Sequence, residues 1–266
     1  MASNALASAH AANGLRRALG LWRLWLFLGW QDIKQRYRGS IIGPFWVAGS
    51  VAALGLGAGA LYAVILKQPA GTYIPYLTIG VVVWTLISGA IGEACQAFIG
   101  AGGVIRNTPL PPAIHVFRVV WRNLIVAAHN LVVAAVIFAF FRHPISPMAP
   151  LALLGVVLLC LNLLWISWVA AAICARFRDM PHAITYTLQI GMFLTPLFWL
   201  PEMAADRHIV LAANPLWHLL EIVRAPILGM PILPINWIAA TTMAVLGLAA
   251  VYVLERRYRH KIIHWL

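Results

Sequence analysis

Four side chains suited to anion binding recur along one apolar stretch of the sequence. His115, Arg118, Arg122 and His129 stand at offsets of 0, 3, 7 and 14 residues. At 100° per residue they fall within about 60° of one another, so a helix would carry them as one polar stripe. Guanidinium groups suit phosphate oxygens, and the stripe predicts a phosphate-binding site with Glu93 as the candidate counter-ion. The alternative is that both arginines only snorkel to a membrane surface.

The chain that carries this stripe has the composition of a membrane protein. Of its 266 residues, 62% are hydrophobic and 10% are charged, with a mean hydropathy of +0.86, whereas soluble domains carry about 25% charged residues. A membrane-spanning helix needs about 20 mostly apolar residues. We therefore predict an all-α integral membrane protein whose residues 41–266 form a six-span domain. The predicted spans are residues 43–66, 75–99, 113–141, 149–175, 184–200 and 235–254.

The basic residues give this six-span arrangement an orientation. Of the 19 Lys and Arg residues, 15 fall on the side that holds both termini. Only Lys67, Arg142, Arg207 and Arg224 fall on the other side. Cytoplasmic loops carry the excess of positive charge, so both termini are predicted to be cytoplasmic. The net charge of +12 is then explained by the membrane, and we expect membrane lipid, but no nucleic acid, as a partner.

Two segments precede the first predicted span. Residues 1–14 are rich in alanine and predict a disordered start. Residues 15–40 predict an amphipathic helix in the cytoplasmic interface, with tryptophans at the depth of the lipid headgroups. Such a helix is either a membrane anchor or a platform for a cytoplasmic partner, and the sequence leaves both interpretations open. The first span then carries Gly49, Ala53 and Gly57 at four-residue spacing, which favours helix packing either within one subunit or between two.

Three connecting segments have a distinctive composition. Arg106–Pro112 contains three prolines in four residues, which stiffen it into either a turn or an exposed knob that a motor protein would push. The charged loop Arg176–Asp179 joins spans four and five on the same side. Residues 201–234 are too long for a turn and too short for two more spans. They predict two short helices that re-enter the membrane as an external gate, with an ordinary external loop as the alternative.

Signatures of an enzyme are missing from the sequence. No lysine follows a glycine, so a phosphate-binding loop of the GxxxxGK[ST] type is excluded. There is no HExxH, and the tail that carries His260 and His264 offers no third metal ligand. The seven acidic residues are widely scattered. We therefore predict no catalytic residue, no metal site and no cofactor in this chain, and we expect transport driven by an external motor.

Four groups of residues, in this order and at these topological positions, resemble the membrane subunit of ABC-2 type polysaccharide exporters, the permeases for O-antigen, capsule and teichoic acid. The resemblance runs from about Leu24 to the C-terminus. The groups are Arg36-Tyr-Arg-Gly-Ser40 with Gly43 and Trp46, then Arg176-Phe-Arg-Asp179, then Thr195-Pro196, and finally Asn214-Pro-Leu216 with Arg224.

The resemblance implies a homodimer of six-span subunits in the bacterial inner membrane, with two cytoplasmic ATP-binding cassette subunits that hold ATP and Mg. A polymer carried on undecaprenyl diphosphate would pass between the protomers. By the same likeness, the residues expected to contact the ATPase are Gln31, Asp32, Arg36, Arg38, Asn107, Pro109, Pro111, Pro112, Arg176, Arg178 and Asp179. Those expected to shape the external gate are Pro196, Asn214, Pro215 and Arg224.

Other functions remain open at this stage. Within the same class, the chain could be an ABC-2 permease for capsule, teichoic acid, a drug or a smaller lipid. In different classes, it could be a membrane-embedded transferase acting on lipid-linked sugar, or a passive channel. The scattered carboxylates argue against the transferase, because acid–base or metal chemistry needs such groups to converge.

Overall fold

The computed structural model describes residues 14–43, 45–203 and 211–266, and the regular elements in this part of the chain are helical. We number the helices in chain order. They are α1 (Gly14–Gly20), α2 (Trp22–Arg36), α3 (Phe45–Ile65), α4 (Ala70–Ala94), α5 (Gly102–Asn107), α6 (Ala113–Phe140), α7 (Leu151–Arg176), α8 (Met180–Leu194), α9 (Pro215–Leu228) and α10 (Pro234–Trp265).

Helix α4 lies at the centre of the bundle. Seventeen of its 25 residues are buried, and it packs against α3, α6, α7, α8 and α9. A helix that is apolar on every side must be surrounded by other helices or by lipid. Around α4, other helices cover most of the surface. The other long helices are each buried on one side only. Their remaining apolar surface is exposed, as expected for a chain in a bilayer.

Five helices in the described residues are long and apolar enough to cross a membrane: α3, α4, α6, α7 and residues 234–258 of α10. The fifth predicted span, residues 184–200, corresponds to α8, which begins at Met180 and ends at Leu194. Fifteen residues at 1.5 Å each extend about 23 Å, short of the ~30 Å hydrocarbon core. The helix stops early because Pro196 disfavours helical backbone at Thr195. The six-span count therefore stays a prediction.

The interface segment forms two helices, α1 and α2, in place of one. They break at Leu21, and α2 ends at Arg36 rather than at residue 40. Gly29 lets α2 approach α6 closely, since a Cβ there would lie 2.7 Å from Cδ1 of Trp121. Trp22 and Trp30 are exposed on the other side. We call the end of the bundle that holds α1, α2, α5 and the start of α6 the basic face, and the opposite end the far face.

The small residues of α3 divide between two surfaces. Gly55 packs against Thr78, and Gly59 packs against Ile74, so these two glycines serve contact with α4. Added Cβ atoms on Gly49 and Gly57 would meet no neighbour within 4 Å. The stripe at Gly49, Ala53 and Gly57 is therefore free in the single subunit.

Helix α9 is the longest helix in the described part of residues 201–234, the predicted re-entrant segment. It is buried continuously from Trp217 to Pro226 and packs against α4, α7 and α10. Gly155 permits the approach of α7, because a side chain there would overlap the carbonyl group of Ile222. The predicted disordered start, up to residue 13, and residues 204–210 of the re-entrant segment lie outside the described residues.

Candidate functional site

A network of charged side chains joins three helices at the basic face. On α6, Arg118 donates from Nε to Oδ2 of Asp32 at 2.6 Å, and its Nη2 bonds Oδ1 of the same carboxylate on α2. Arg122 donates from Nη1 to Oδ2 of Asp32 at 2.7 Å and from Nη2 to Oε2 of Glu93 at 2.6 Å. Arg36 reaches Oε1 of Glu93 at 2.7 Å. This basic-face network thus ties α2 to both α4 and α6.

The network contains three cations and two carboxylates, and these opposite charges shift the pKa values of its members. Burial alone would raise the pKa of Asp32, but hydrogen bonds and charge from Arg118 and Arg122 outweigh it and hold the pKa below its ordinary value. Burial alone would likewise lower the pKa of Arg36, and the Glu93 carboxylate reverses that shift. Both residues are therefore charged near neutral pH.

A cavity of about 290 Å³ opens beside this network. Its lining includes Glu93, His115, Arg118 and Arg122, so three of the four residues in the predicted polar stripe meet there. His129 lies elsewhere: its Nδ1 is 2.8 Å from the carbonyl oxygen of Ile125 in its own helix. The predicted pairing of Glu93 with an arginine is present. The sequence reasoning did not predict that Asp32 pairs with Arg118 and Arg122, although it singled out all three residues.

The residues predicted to contact an ATPase lie at the basic face but differ in accessibility. Arg36, Arg38, Asn107, Pro109, Arg176, Arg178 and Asp179 are exposed, and Gln31 is half-buried. Pro111 and Pro112 are buried, because they lead directly into α6 and pack with its first turn. Asp32 directs its carboxylate to the two arginines. The exposed knob therefore ends at Pro109, and the contact with an ATPase stays a prediction.

The residues predicted to form the external gate meet at the far face. Asn214 caps α9, since its Oδ1 accepts hydrogen bonds from the backbone N–H groups of Leu216 and Trp217. Pro215 occupies the first helical position, where its missing N–H costs nothing. The Nδ2 of Asn214 also donates to Oγ1 of Thr195 at 3.1 Å. The start of α9 is thereby tied to the end of α8.

Arg224 is joined to the same group through an aromatic ring. Its side chain is fully buried and paired with Glu221, and its guanidinium lies 4.1 Å from the ring centre of Tyr76 on α4. The Tyr76 hydroxyl lies 3.0 Å from the carbonyl oxygens of both Pro196 and Trp199. Tyr76 thus links Arg224 to the Thr195-Pro196 turn. The sequence reasoning did not identify Tyr76 or Glu221, although the Glu221–Arg224 spacing of three residues on a helix favours an ion pair.

Helix α8 has an exposed polar and aromatic face, on which the ring of Phe193 stacks against that of Phe198 with the ring centres 6.0 Å apart. His182, Thr185, Tyr186, Gln189 and Phe193 are exposed, and at 100° per residue they share an arc of about 100°. The side chain of Gln189 makes no hydrogen bond within the described residues. This face was missed because the sequence reasoning treated residues 184–200 as uniformly apolar, whereas the spacing of His182, Thr185 and Gln189 would have found it.

Three carboxylates in the described part of the chain are engaged with arginines. Asp32 and Glu93 belong to the basic-face network, and Glu221 pairs with Arg224. Among the residues that the structure describes, no three His, Cys, Asp or Glu side chains meet in an arrangement suited to a metal ion. The ion pairs of Asp32 and Glu93 connect α2, α4 and α6.

Similarity to known proteins extends over both the basic-face network and the residues predicted to form the external gate. The family model of the ABC-2 type transporter matches residues 23–228. An O-antigen export system permease protein RfbA of Myxococcus xanthus is 24% identical over 190 residues, which cover 70% of this chain and 73% of that protein. A protein of the same name from Klebsiella pneumoniae is 20% identical over 238 residues, covering 86% of this chain and 90% of the relative.

Proposed function

This chain belongs to the ABC-2 type transporter family, and we propose that it is the transmembrane subunit of an ATP-driven exporter of polysaccharide carried on undecaprenyl diphosphate. It is a transport subunit rather than an enzyme. In this proposal it forms a homodimer with two ATP-binding cassette subunits, which bind ATP and Mg, in the bacterial inner membrane. The names of the two relatives, both O-antigen export permeases, support O-antigen as the polymer.

The polar and aromatic face of α8 carries this proposal. Polar side chains in a membrane helix are costly against lipid and usually face a partner or a water-filled cavity. Gln189 has no hydrogen-bond partner in its own subunit among the described residues. Amide and imidazole groups can bond sugar hydroxyls, and the rings of Tyr186 and Phe193 offer flat surfaces to sugar rings. A glycan passing between two subunits would satisfy this face, whereas an acyl chain would not.

The charge distribution supports the direction of transport. The excess of Lys and Arg at the basic face supports a cytoplasmic position for that face, where the exposed loops around Asn107 and Arg178 would meet the ATPase. The adjoining cavity presents Arg118 and Arg122, which would attract the diphosphate of the carrier lipid as it enters. The two carboxylates of the basic-face network hold these guanidinium groups in place.

The homodimer in this proposal uses the free stripe on α3. Gly49, Ala53 and Gly57 face away from the subunit and would allow a second helix to approach closely. Since α3 and α8 both expose unpartnered faces, a second copy could cover the stripe while leaving the α8 face to line a path.

The test is transport by the complete complex. The chain would be co-expressed with its ATPase, reconstituted into proteoliposomes, and assayed for ATP-dependent movement of undecaprenyl-diphosphate-linked glycan. We expect Gln189→Leu to reduce export several-fold at an unchanged yield of complex, because it removes a hydrogen-bonding group from the path. The matched control is Thr187→Val, since Thr187 bonds the carbonyl of Ala183 at 2.8 Å and lies outside the α8 arc.

Two results would contradict the proposal. Movement of the glycan without ATP and without an ATPase would indicate a passive channel. ATPase stimulation by a drug or short-chain lipid, but not by the lipid-linked glycan, would assign the chain to another kind of ABC-2 permease. Equal losses in Gln189→Leu and Thr187→Val would remove the argument from the α8 face.

A further inference from the structure

An apolar groove of about 440 Å³ lies at the far face between α4, α6 and α9. Its wall includes Ile79, Ala134, Phe138 and Ile227. Arg142 also lines the groove and follows the last residue of α6 by two positions. Because α6 is long and apolar enough to cross a membrane, we expect Arg142 to stand near the membrane boundary. The cavity thus combines an apolar body within the membrane with a cation at its aqueous end.

The backbone of Arg142 is held in a conformation that normally belongs to glycine. Its φ is 51°, and two hydrogen bonds close the helix end: Arg142 N–H to the carbonyl of Ala139 at 3.2 Å, and His143 N–H to that of Phe138 at 3.0 Å. This is the Schellman arrangement, in which the left-handed position is usually glycine. Arg142 therefore places a long cationic side chain at a backbone position that only glycine would occupy without strain.

The end of α3 provides a matched comparison. Lys67 has φ 53°, with its N–H bonded to Val64 at 3.2 Å and the Gln68 N–H bonded to Ala63 at 2.9 Å. The dipole of a helix favours cations at its C-terminus, which applies equally to Lys67 and Arg142. Lys67, however, does not line the groove. Only Arg142 combines the strained cation with an apolar cavity.

The charge of Arg142 is not neutralised by any carboxylate in the described part of the subunit. Its side chain is exposed, and no carboxylate within residues 14–43, 45–203 and 211–266 lies within ion-pair distance of it. An anion at the membrane boundary is therefore the complementary group. The groove beneath requires that this anion carry an apolar tail.

We propose that the groove binds an anionic phospholipid, with an acyl chain along Ala134 and Phe138 and the phosphate at Arg142. Bilayer lipid supplies both parts of such a ligand at this depth, and guanidinium groups bind phosphate through paired hydrogen bonds. The bound lipid fills the space between α6 and α9. This site is independent of the transported substrate and does not rest on the proposed export function.

Native mass spectrometry of the purified full chain, titrated with phosphatidylglycerol or phosphatidylcholine, tests this site. We expect the wild type to bind phosphatidylglycerol about fivefold more tightly, the factor that one cation near a membrane surface supplies. Arg142→Gly should abolish that preference while relieving the backbone strain, and Arg142→Lys should retain most of it. Lys67→Gly removes the same charge from the same kind of helix end and should leave the preference intact.

A second variant tests the apolar body of the groove. Ala135 is exposed and lines it, so Ala135→Phe should fill the cavity without disturbing the core and weaken binding of both lipids. Equal effects of Arg142→Gly and Lys67→Gly would overturn the proposal in favour of diffuse surface charge. Absence of any lipid preference in the wild type would also overturn it. Tighter binding of undecaprenyl phosphate than of phosphatidylglycerol would assign the groove to the carrier lipid instead.

Discussion

Asp32 accepts hydrogen bonds from both Nε and Nη2 of Arg118, and this pair fastens the interface helix α2 to the first turns of α6. Arg122 extends the contact to Glu93 on α4. Removing the single carboxylate of Asp32 would therefore leave two guanidinium groups short of an acceptor. The side chain of Asp32 is only 10% exposed, so water replaces the lost bonds poorly.

We predict that Asp32→Asn lowers the free energy of unfolding by about 1–3 kcal/mol, the range for losing charge-assisted hydrogen bonds in a largely buried site. Asparagine keeps the shape but cannot balance two cations. Thermal unfolding of the detergent-purified chain, followed by the fluorescence of its 12 tryptophans, measures the change.

The control for this prediction removes an exposed carboxylate. Asp179 is exposed and has no ion pair among the described residues, so Asp179→Asn should change stability by at most about 0.5 kcal/mol. The effects of Asp32→Asn and Arg118→Gln should be non-additive, because the two residues share one interaction. Additive effects would show that the pair contributes nothing to the attachment of α2.

The same carboxylate predicts how stability depends on pH. The pKa of Asp32 is lowered from 3.8 in the folded chain, so the unfolded chain takes up a proton first as the pH falls. Its contribution to stability is then complete above about pH 5 and disappears as the pH drops through 3.8 towards the folded pKa. Unfolding midpoints measured from pH 7 to pH 3 should fall more steeply for the wild type than for Asp32→Asn. Parallel curves would contradict the assignment.

Much of the membrane architecture could be predicted because long apolar helices have few alternatives in a bilayer. The predicted spans 113–141 and 149–175 match α6 and α7 within two residues. The end of α8 was misjudged, because hydropathy continues through Phe198 and Trp199 after Pro196 has ended the helix. The turn that follows α8 is also apolar, so hydropathy alone does not locate the end of this helix.

The functional side chains were harder to predict, because their roles depend on which helices become neighbours. The polar stripe of α6 was visible from spacing, but its partner Asp32 lies 86 residues before Arg118 and was assigned to a different surface. Pro196, Asn214 and Arg224 lie near one another at the far face, and their role as an external gate stays a prediction. Tyr76, which connects them, lies in a uniformly apolar run with no local sign of its contacts.

The free stripe on α3 predicts the effect of adding bulk at the dimer interface that we propose. Gly57 meets no neighbour in its own subunit, so Gly57→Leu should leave the subunit folded but weaken dimerisation about tenfold or more, since small residues permit close helix approach. Single-molecule photobleaching or fluorescence energy transfer in liposomes would measure the dimer fraction.

A leucine added elsewhere on the membrane surface controls for general effects. Ala249 on α10 is exposed, and Ala249→Leu should leave the dimer fraction unchanged. Equal dimerisation of Gly57→Leu and wild type would exclude the α3 stripe from the interface.

Tyr76 provides the sharpest test of how the far face is held together. Its hydroxyl serves the carbonyl oxygens of Pro196 and Trp199, and the residue is 5% exposed, so Tyr76→Phe strands two acceptors and should cost about 1–3 kcal/mol. The ring remains for Arg224, which confines the loss to the turn after α8. Hydrogen exchange should therefore accelerate in residues 195–203 while α9 stays protected. Tyr62→Phe removes a hydroxyl that makes no hydrogen bond in the described part of the chain and should change neither quantity. Unaltered exchange in Tyr76→Phe would mean that other contacts hold the turn, such as the hydrogen bonds from Tyr73 to Phe198 and from Asn214 to Thr195.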